Sequence, residues 1–306
     1  MTDARFESGA HAYADYLRTV EGRLRLDIAW ANFNSVITKQ TAARELTRDH
    51  AGASEHEGAT QPHQEHATQP GRVLDLGGGT GALALRFAAH GWHASIVDPS
   101  AQMLALAADA ARAESLDARV AFHQSTAEMA AQLFAPHAFD AAVCHNVLEY
   151  VRDPRACVAA LAALVKPGAH VSLVARNRAG EALRAALKTH DLEEAERALV
   201  AAEVNESLYG GPARLYDARS LRELATAAKL EVVAERGVRV VADYLPAQLS
   251  DTPETYARLL SFELMLGASP EFASVARYTQ IIARLNLQAE DAATSEPSHL
   301  DVKGAE

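Results

Sequence analysis

A doubly wound α/β fold is predicted for this chain, with seven mostly parallel strands and a helical segment at its N-terminus. Three observations predict it. Short apolar runs of strand length alternate with segments of helical periodicity through residues 72–285, and such alternation demands a parallel sheet covered by helices on both faces. The first run, Val73-Leu74-Asp75-Leu76, breaks into Gly77-Gly78-Gly79-Thr80-Gly81 and then into an apolar helix from Ala82. The second run, Ser95-Ile96-Val97-Asp98, again ends on an acid.

The N-terminal segment, residues 1–46, reads as a helical lid, helical from Ser8 to Leu46. Leu26, Trp30, Phe33 and Ile37 recur there at spacings of four, three and four, which lays one apolar stripe along a helix. Residues 47–71 hold His56, His63 and His66 with Pro62 and Pro70 in a polar run without periodicity, which predicts a flexible linker. The irregular histidine spacing predicts no metal site.

Residues 72–285 form the main domain. After the glycine turn, Pro99-Ser100 opens a helix to about Ala113, and Val120-Ala121-Phe122-His123 forms strand three. Ser125-x-x-Glu128 has the pattern of a capping box, with Glu128 also placed to meet a ligand. Phe139 to Asn146 is strand four, so His145 and Asn146 leave it at the point where strand order reverses and ligands bind in open α/β sheets. Asp153-Pro154 starts the next helix with an acid at the cap and proline at the first helical position. His170 to Ala175 is strand five, and it delivers Arg176, Asn177 and Arg178 to the same edge. Residues 179–216 read as a helical, charged insertion on the substrate side, helical to about Glu203. A helix from Asp217 to Lys229, strand six over Leu230 to Val240, a helix over Pro253 to Leu266 and a final strand over Arg277 to Arg284 complete the domain, and residues 286–306 read as a disordered acidic tail.

The glycine turn is the chemical signal. Gly77-x-Gly79-x-x-Ala82 formally fits a dinucleotide loop. Asp75 argues against a pyrophosphate there, because like charges repel, and for a ligand bearing ammonium and sulfonium cations. S-adenosylmethionine is such a ligand, with Asp98 placed to accept hydrogen bonds from both ribose hydroxyls.

Composition narrows the classes. The chain has 29 Lys and Arg against 40 Asp and Glu, a formal charge of −11, which argues against broad nucleic-acid affinity without excluding a local basic face. No apolar run reaches the length of a membrane span and the first residues lack a signal pattern, so a soluble cytoplasmic protein is predicted. Cys144 and Cys157 cannot make a disulfide framework and read as core thiols.

With these residues in place, the chain resembles the class I S-adenosylmethionine-dependent methyltransferases, with their Rossmann-like sheet. Gly22-Arg23-Leu24-Arg25, Ala101-Gln102-Met103, His145 through Pro154, Gly237-Val238-Arg239-Val240, Asp243-Tyr244-Leu245 and Arg277-Tyr278 are similar to segments of the family that methyl-esterifies 5-carboxymethoxyuridine at the tRNA wobble position. The resemblance implies cofactor contacts from Arg25 to the carboxylate, Gly77 and Gly78 to the methionine part, Asp98 to the ribose, Ala127 and Glu128 to the adenine, and His145 alongside. The chain departs from that family at Arg176, where a tyrosine is usual, and at Glu203 to Leu215, where a lysine-rich stretch is usual.

Methyl transfer to an ionised carboxylate needs no general base, only alignment and a cation to place the acceptor. Arg176, Asn177, Arg239 and Tyr244 are the expected acceptor-side residues, and no catalytic acid or base is assigned. tRNA is the expected partner. A small-molecule carboxylate, hydroxyl or amine acceptor, and a silent binding module on the same fold, remain as alternatives.

Overall fold

The computed structural model describes residues 4–52, 71–206 and 208–286. Its centre is a seven-stranded sheet built from β1 (Arg72–Leu76), β2 (His93–Asp98), β3 (Val120–Gln124), β4 (Phe139–His145), β5 (Val165–Arg176), β8 (Leu230–Val238) and β9 (Tyr278–Leu285). Their order is β3-β2-β1-β4-β5-β9-β8. β1 to β5 pair in parallel, and β9 runs antiparallel between β5 and β8. Because β9 is reversed, its first residues lie at the edge where β1, β4 and β5 end.

Alternation along the strands decides which helices cover which face. Leu74, Leu76, Ala142, Cys144, Leu173 and Ile281 pack beneath α6 (Pro154–Leu164) and α9 (Ala218–Ala227). The intervening Val73, Ala141, Val143 and Ile282 pack on the opposite face with Phe33 of α3 (Val20–Gly52) and Phe87 of α4 (Ala82–Ala89). α5 (Ala101–Ala113) adds Ala107 to that side, and α10 (Pro253–Ala268) adds Tyr256 and Leu259 against Leu24 and Ile28. Cys144 and Cys157 are free buried thiols whose sulfurs lie 3.9 Å apart.

Several boundaries differ from the sequence reading. The N-terminal helix is broken into α1 (Ala4–Ser8), α2 (Ala10–Arg18) and α3. Thr19 makes the second break: its backbone is extended, its hydroxyl donates to Tyr16 O, and the same oxygen accepts from Gly22 N. Gly22 permits the close crossing, since a Cβ there would stand 2.1 Å from Tyr16 O. α3 buries more than one stripe, with Leu24 and Ile28 packed as fully as Phe33, and it runs to Gly52, six residues into the stretch predicted as linker. Residues 53–70, with His56, His63 and His66, and residues 287–306 of the predicted tail lie outside the described residues.

Residues 178–216 form α7 (Arg178–Leu187), α8 (Leu192–Val200) and a hairpin of β6 (Glu203–Asn205) with β7 (Pro212–Arg214), where helix had been predicted up to Glu203. α11 (Pro270–Ala273) precedes β9. Among the described residues, no helix is long and apolar enough to cross a membrane.

The crossing at Gly22 yields a direct expectation. Gly22→Ala has no room unless α2 moves, and overpacking of this kind costs on the order of 1–3 kcal/mol. Urea unfolding should show a lower midpoint with an unchanged slope.

Candidate functional site

The ends of β1, β2, β4 and β5 open onto a cavity of about 1090 Å³, with a smaller one behind the glycine loop. Gly77, Gly79 and Gly81 have φ of +70°, +55° and +78°, a conformation that explains the glycines without reference to any ligand. Asp98 pins the loop from the neighbouring strand: one carboxylate oxygen accepts from Gly79 N at 2.9 Å and the other from Ser100 N at 2.9 Å. Gly77, Gly79, Asp98, Ala127, Glu128 and His145 all line the large cavity.

Asp75 and Gly78 line the smaller cavity instead. Asp75 accepts from Ala84 N at 3.2 Å, and a Cβ on Gly78 would stand 2.7 Å from its Cγ. This carboxylate therefore sits under the loop, at the start of α4, rather than at the end of the strand facing the main cleft. Burial raises Asp75 to about 7 and Asp98 to about 6. Both carboxylates would ionise more readily beside a cation or hydroxyl donors.

Glu128 does not close a capping box. The 3₁₀ turn Ala127–Gln132 is entered from Thr126 without a side-chain cap. Glu128 reaches instead to Arg152 N at 3.1 Å, tying this wall to the segment after β4.

Arg25, delivered by the first turns of α3, is 5% exposed and yet has only neutral partners. One terminal nitrogen donates to Asn146 Oδ1 and the other to Tyr13 OH at 2.9 Å, and its Nε has no partner. Among the described residues no carboxylate forms an ion pair with it. Asn146 is itself held in a left-handed conformation, φ +56°, and donates to Glu149 Oε1, which also accepts from Arg176 N. A buried cation with no counter-charge is costly, so Arg25 fits a ligand carboxylate.

The deep end of the cavity gathers three more buried arginines around Tyr278. Arg176 donates to Glu181 at 3.3 Å and Glu206 at 3.4 Å. Arg277 donates to Glu181 and lies 3.8 Å from Asp243, while Arg239 donates to Asp243 and to Tyr16 OH at 2.9 Å. The guanidinium carbons of Arg25, Arg239 and Arg277 stand 6.0, 5.8 and 5.6 Å from the Tyr278 ring centre. Burial raises the Tyr278 phenol, but Arg277, Arg239, Arg176 and Arg25 outweigh it and pull it down to about 8. Glu181, Glu206 and Asp243 pair with Arg176, Arg239 and Arg277, so the formal charges at this end balance.

The backbone that holds these groups is tied by side chains elsewhere in sequence. Arg239 occupies a left-handed turn, φ +61°, whose next three amides all donate to the buried Glu263 carboxylate of α10, at 2.6, 2.9 and 2.6 Å. Asn177, expected at the acceptor, is a brace: its Nδ2 donates to Ser274 O and Ala276 O ahead of Arg277, and it does not line the cavity. Tyr244 does not line it either. Its neighbour Asp243 does, together with Arg176 and Arg239.

Residues without a role in the sequence reading complete the walls. Phe6, Tyr150 and Tyr209 pack edge-on with ring centres 5.0–5.9 Å apart, and Tyr13 lies tilted against Tyr209 at 5.8 Å. Arg277 and Tyr278 carried a resemblance but no role, and the reversed direction of β9 is what brings them here. Tyr13 and Tyr16 lie three apart on α2, within the segment expected to be a helical lid, but neither had been given a role. Among the described residues no group of three or more His, Cys, Asp or Glu could hold a metal ion.

A family model described as "Methyltransferase domain" matches residues 54–235. The tRNA 5-carboxymethoxyuridine methyltransferase of Escherichia coli (strain K12) is 27% identical over 294 residues, covering 93% of this chain and 97% of that protein. A ubiquinone biosynthesis O-methyltransferase of Alkalilimnicola ehrlichii is 40% identical over 107 residues, but those cover 35% of this chain and 42% of that protein. A solved structure of a putative S-adenosylmethionine-dependent methyltransferase from Listeria monocytogenes has a similar fold, with TM-score 0.50, 14% identity, and coverage of 71% of this chain and 91% of that one.

Asp98 yields a pH prediction. Its value is raised in the folded chain, so its contribution to stability is full below the ordinary 3.8 and is lost as pH rises through about 6. Between pH 4 and 7.5 the ligand-free wild type should lose on the order of 2 kcal/mol more than Asp98→Asn. Denaturant titrations of both proteins across that range measure the difference, and parallel curves would contradict it.

Proposed function

Because the chain belongs to the methyltransferase-domain family and takes S-adenosylmethionine as cofactor, we propose that it forms the carboxyl methyl ester of 5-carboxymethoxyuridine at the tRNA wobble position. The observation that carries this reading is the cluster of buried guanidinium groups around Tyr278, a set of fixed planar forks suited to placing an acceptor carboxylate. The extent of similarity supports it, since the likeness to the E. coli tRNA enzyme spans 93% of this chain and that to the ubiquinone enzyme 35%.

The cavity volume supports a two-ligand site, being at the upper limit for a single drug-sized ligand. The aromatic wall of Phe6, Tyr13, Tyr150 and Tyr209 suits a nucleobase turned out of its stack, which every base can meet through its π-face. Arg152, Arg184 and Lys188 line the cavity, with Arg184 paired to Glu181 and Lys188 to Glu21, so that binding of phosphates there would proceed by exchange of these ion pairs. In this reading α1, α2 and the β6–β7 hairpin form a lid. Arg5 Nη1 donates to Gly210 O at 2.8 Å and so joins its two halves.

When bound, the cofactor supplies an activated methyl group on a sulfonium, which leaves with its bonding pair remaining on sulfur. The chain's own residues then have three tasks. Arg25, completed by Tyr13 and Asn146, holds the cofactor carboxylate; Gly77 and Gly79 of the loop approach its methionine part. Asp98 accepts from the ribose, and Ala127 and Glu128 hold the adenine edge. Arg176 and Arg239, with Arg277, orient the acceptor carboxylate so that one oxygen faces the methyl. No proton moves, because the acceptor is ionised at neutral pH, and rate comes from alignment.

The test is transfer of labelled methyl from S-adenosylmethionine to tRNA from cells lacking this protein. Label should appear in an alkali-labile ester of a modified uridine, and transfer should fall with salt. Absence of label, in protein that still binds S-adenosylhomocysteine, would contradict the tRNA assignment. Arg239→Gln should lower kcat/KM by about 100-fold while cofactor affinity changes little, as expected for loss of one charged positioning group. Unchanged turnover would remove Arg239 from the acceptor site.

A further inference from the structure

β5 and β9 are apolar through their central registers except for Ser172 and Gln280, which share the face toward α3 and have no solvent exposure. They are joined in one chain of hydrogen bonds. Asn32 Nδ2 donates to Gln280 Oε1 at 2.9 Å. Gln280 Nε2 donates to Ala29 O at 3.0 Å and to Ser172 Oγ at 2.9 Å. Ser172 Oγ in turn lies 2.8 Å from His145 Nε2.

We infer that Gln280 is a positioning residue which, acting through Ser172, fixes His145 as its Nδ1–H tautomer, so that the ring offers the cavity a neutral hydrogen-bond donor. The direction of every bond follows from one group that has no choice. The Ala29 carbonyl can only accept, so the Gln280 atom beside it is the amide nitrogen, and its second proton goes to Ser172 Oγ. Asn32, donating to Oε1, agrees with that orientation. Ser172 is wholly buried and has no other partner among the described residues. Its own proton is satisfied only by pointing at His145 Nε2, because a buried hydroxyl hydrogen left without an acceptor is unfavourable. Nε2 is then the acceptor and Nδ1 carries the proton.

The remaining nitrogen serves the site. His145 lines both cavities, and among the described residues Nδ1 has no hydrogen-bond partner. Burial, and after it the nearby charge of Arg25, hold the ring at about 3, so it stays neutral at physiological pH. A neutral donor can meet a ligand oxygen beside Arg25 without the repulsion that an imidazolium would exert on a sulfonium. Arg25 supplies the charge and His145 the direction. The fold supplies the tautomer through α3, so the N-terminal helix reaches the cofactor chemistry from beneath the sheet. The inference concerns the protein's own ring and holds whichever acceptor is methylated.

Full-length protein carrying ¹⁵N-labelled histidine tests this by NMR, with the resonances of ring 145 identified by their loss in His145→Gln. The wild-type ring should show a protonated Nδ1 and a bare Nε2 without any ligand. Ser172→Ala and Gln280→Met should each give shifts averaged between the two tautomers, and should weaken S-adenosylhomocysteine about tenfold. A protonated Nε2 in the wild type would overturn the inference, and that spectrum decides even where a variant does not fold. Wild-type shifts in both variants would also overturn it, as would unchanged affinity in both, since a merely structural Gln280 would alter melting temperature alone.

Discussion

Burying four guanidinium groups at one edge of a sheet is the constraint on which the rest of the structure depends. Arg25, Arg176, Arg239 and Arg277 are each less than a tenth exposed, and an unpaired charge so placed would cost several kcal/mol. Glu181, Glu206 and Asp243 offset three of them. Arg25 alone has only amide and phenol partners among the described residues. The site is therefore neutralised around Tyr278 enough to fold and left one counter-charge short at Arg25.

The topology is what makes this arrangement possible. Strand β5 ends at Arg176 opposite Tyr278, because β9 is antiparallel and starts where β5 stops. Asn177 ties β5 to the segment before β9, and Gly180 lets α7 approach so closely that a Cβ would meet Ala276 O at 2.1 Å. Glu263 anchors the turn that carries Arg239. Each cation thus rests on backbone fixed by a different element, and a preorganised set of positive groups is what alignment chemistry requires.

Most of the sheet was legible in the sequence because its signals are local. The glycine turn, the acid closing β2, the Asp153-Pro154 cap and the apolar runs each declare an element within a few residues. What was not legible depended on contacts distant in sequence. The break at Thr19 is enforced by the crossing of α2 and α3, which helical periodicity cannot register. Ser125-x-x-Glu128 has the form of a capping box, but Arg152 N competes for the carboxylate and wins. Tyr244 and Asn177 were sensible polar choices near the right edge, and they face away because Asp243 and Arg176 take the inward positions. Arg277 and Tyr278 were present in the sequence as a strand start, yet only the reversal of β9 reveals that a strand start reaches the ligand edge. The Ser172–Gln280 relay had a faint signal, two polar residues within otherwise buried strands, but its partners on α3 lie over 100 residues away.

The most direct test of charge completion at Arg25 is a double comparison of binding by calorimetry. S-adenosylhomocysteine and its decarboxylated analogue would each be titrated into wild type and Arg25→Gln. If a ligand carboxylate supplies the missing counter-charge, wild type should prefer the intact ligand by about 100-fold and the variant should show little preference, a coupling of about 3 kcal/mol. Equal discrimination by the two proteins would contradict it, and would mean that Arg25 is satisfied by its neutral partners and that the carboxylate is held elsewhere.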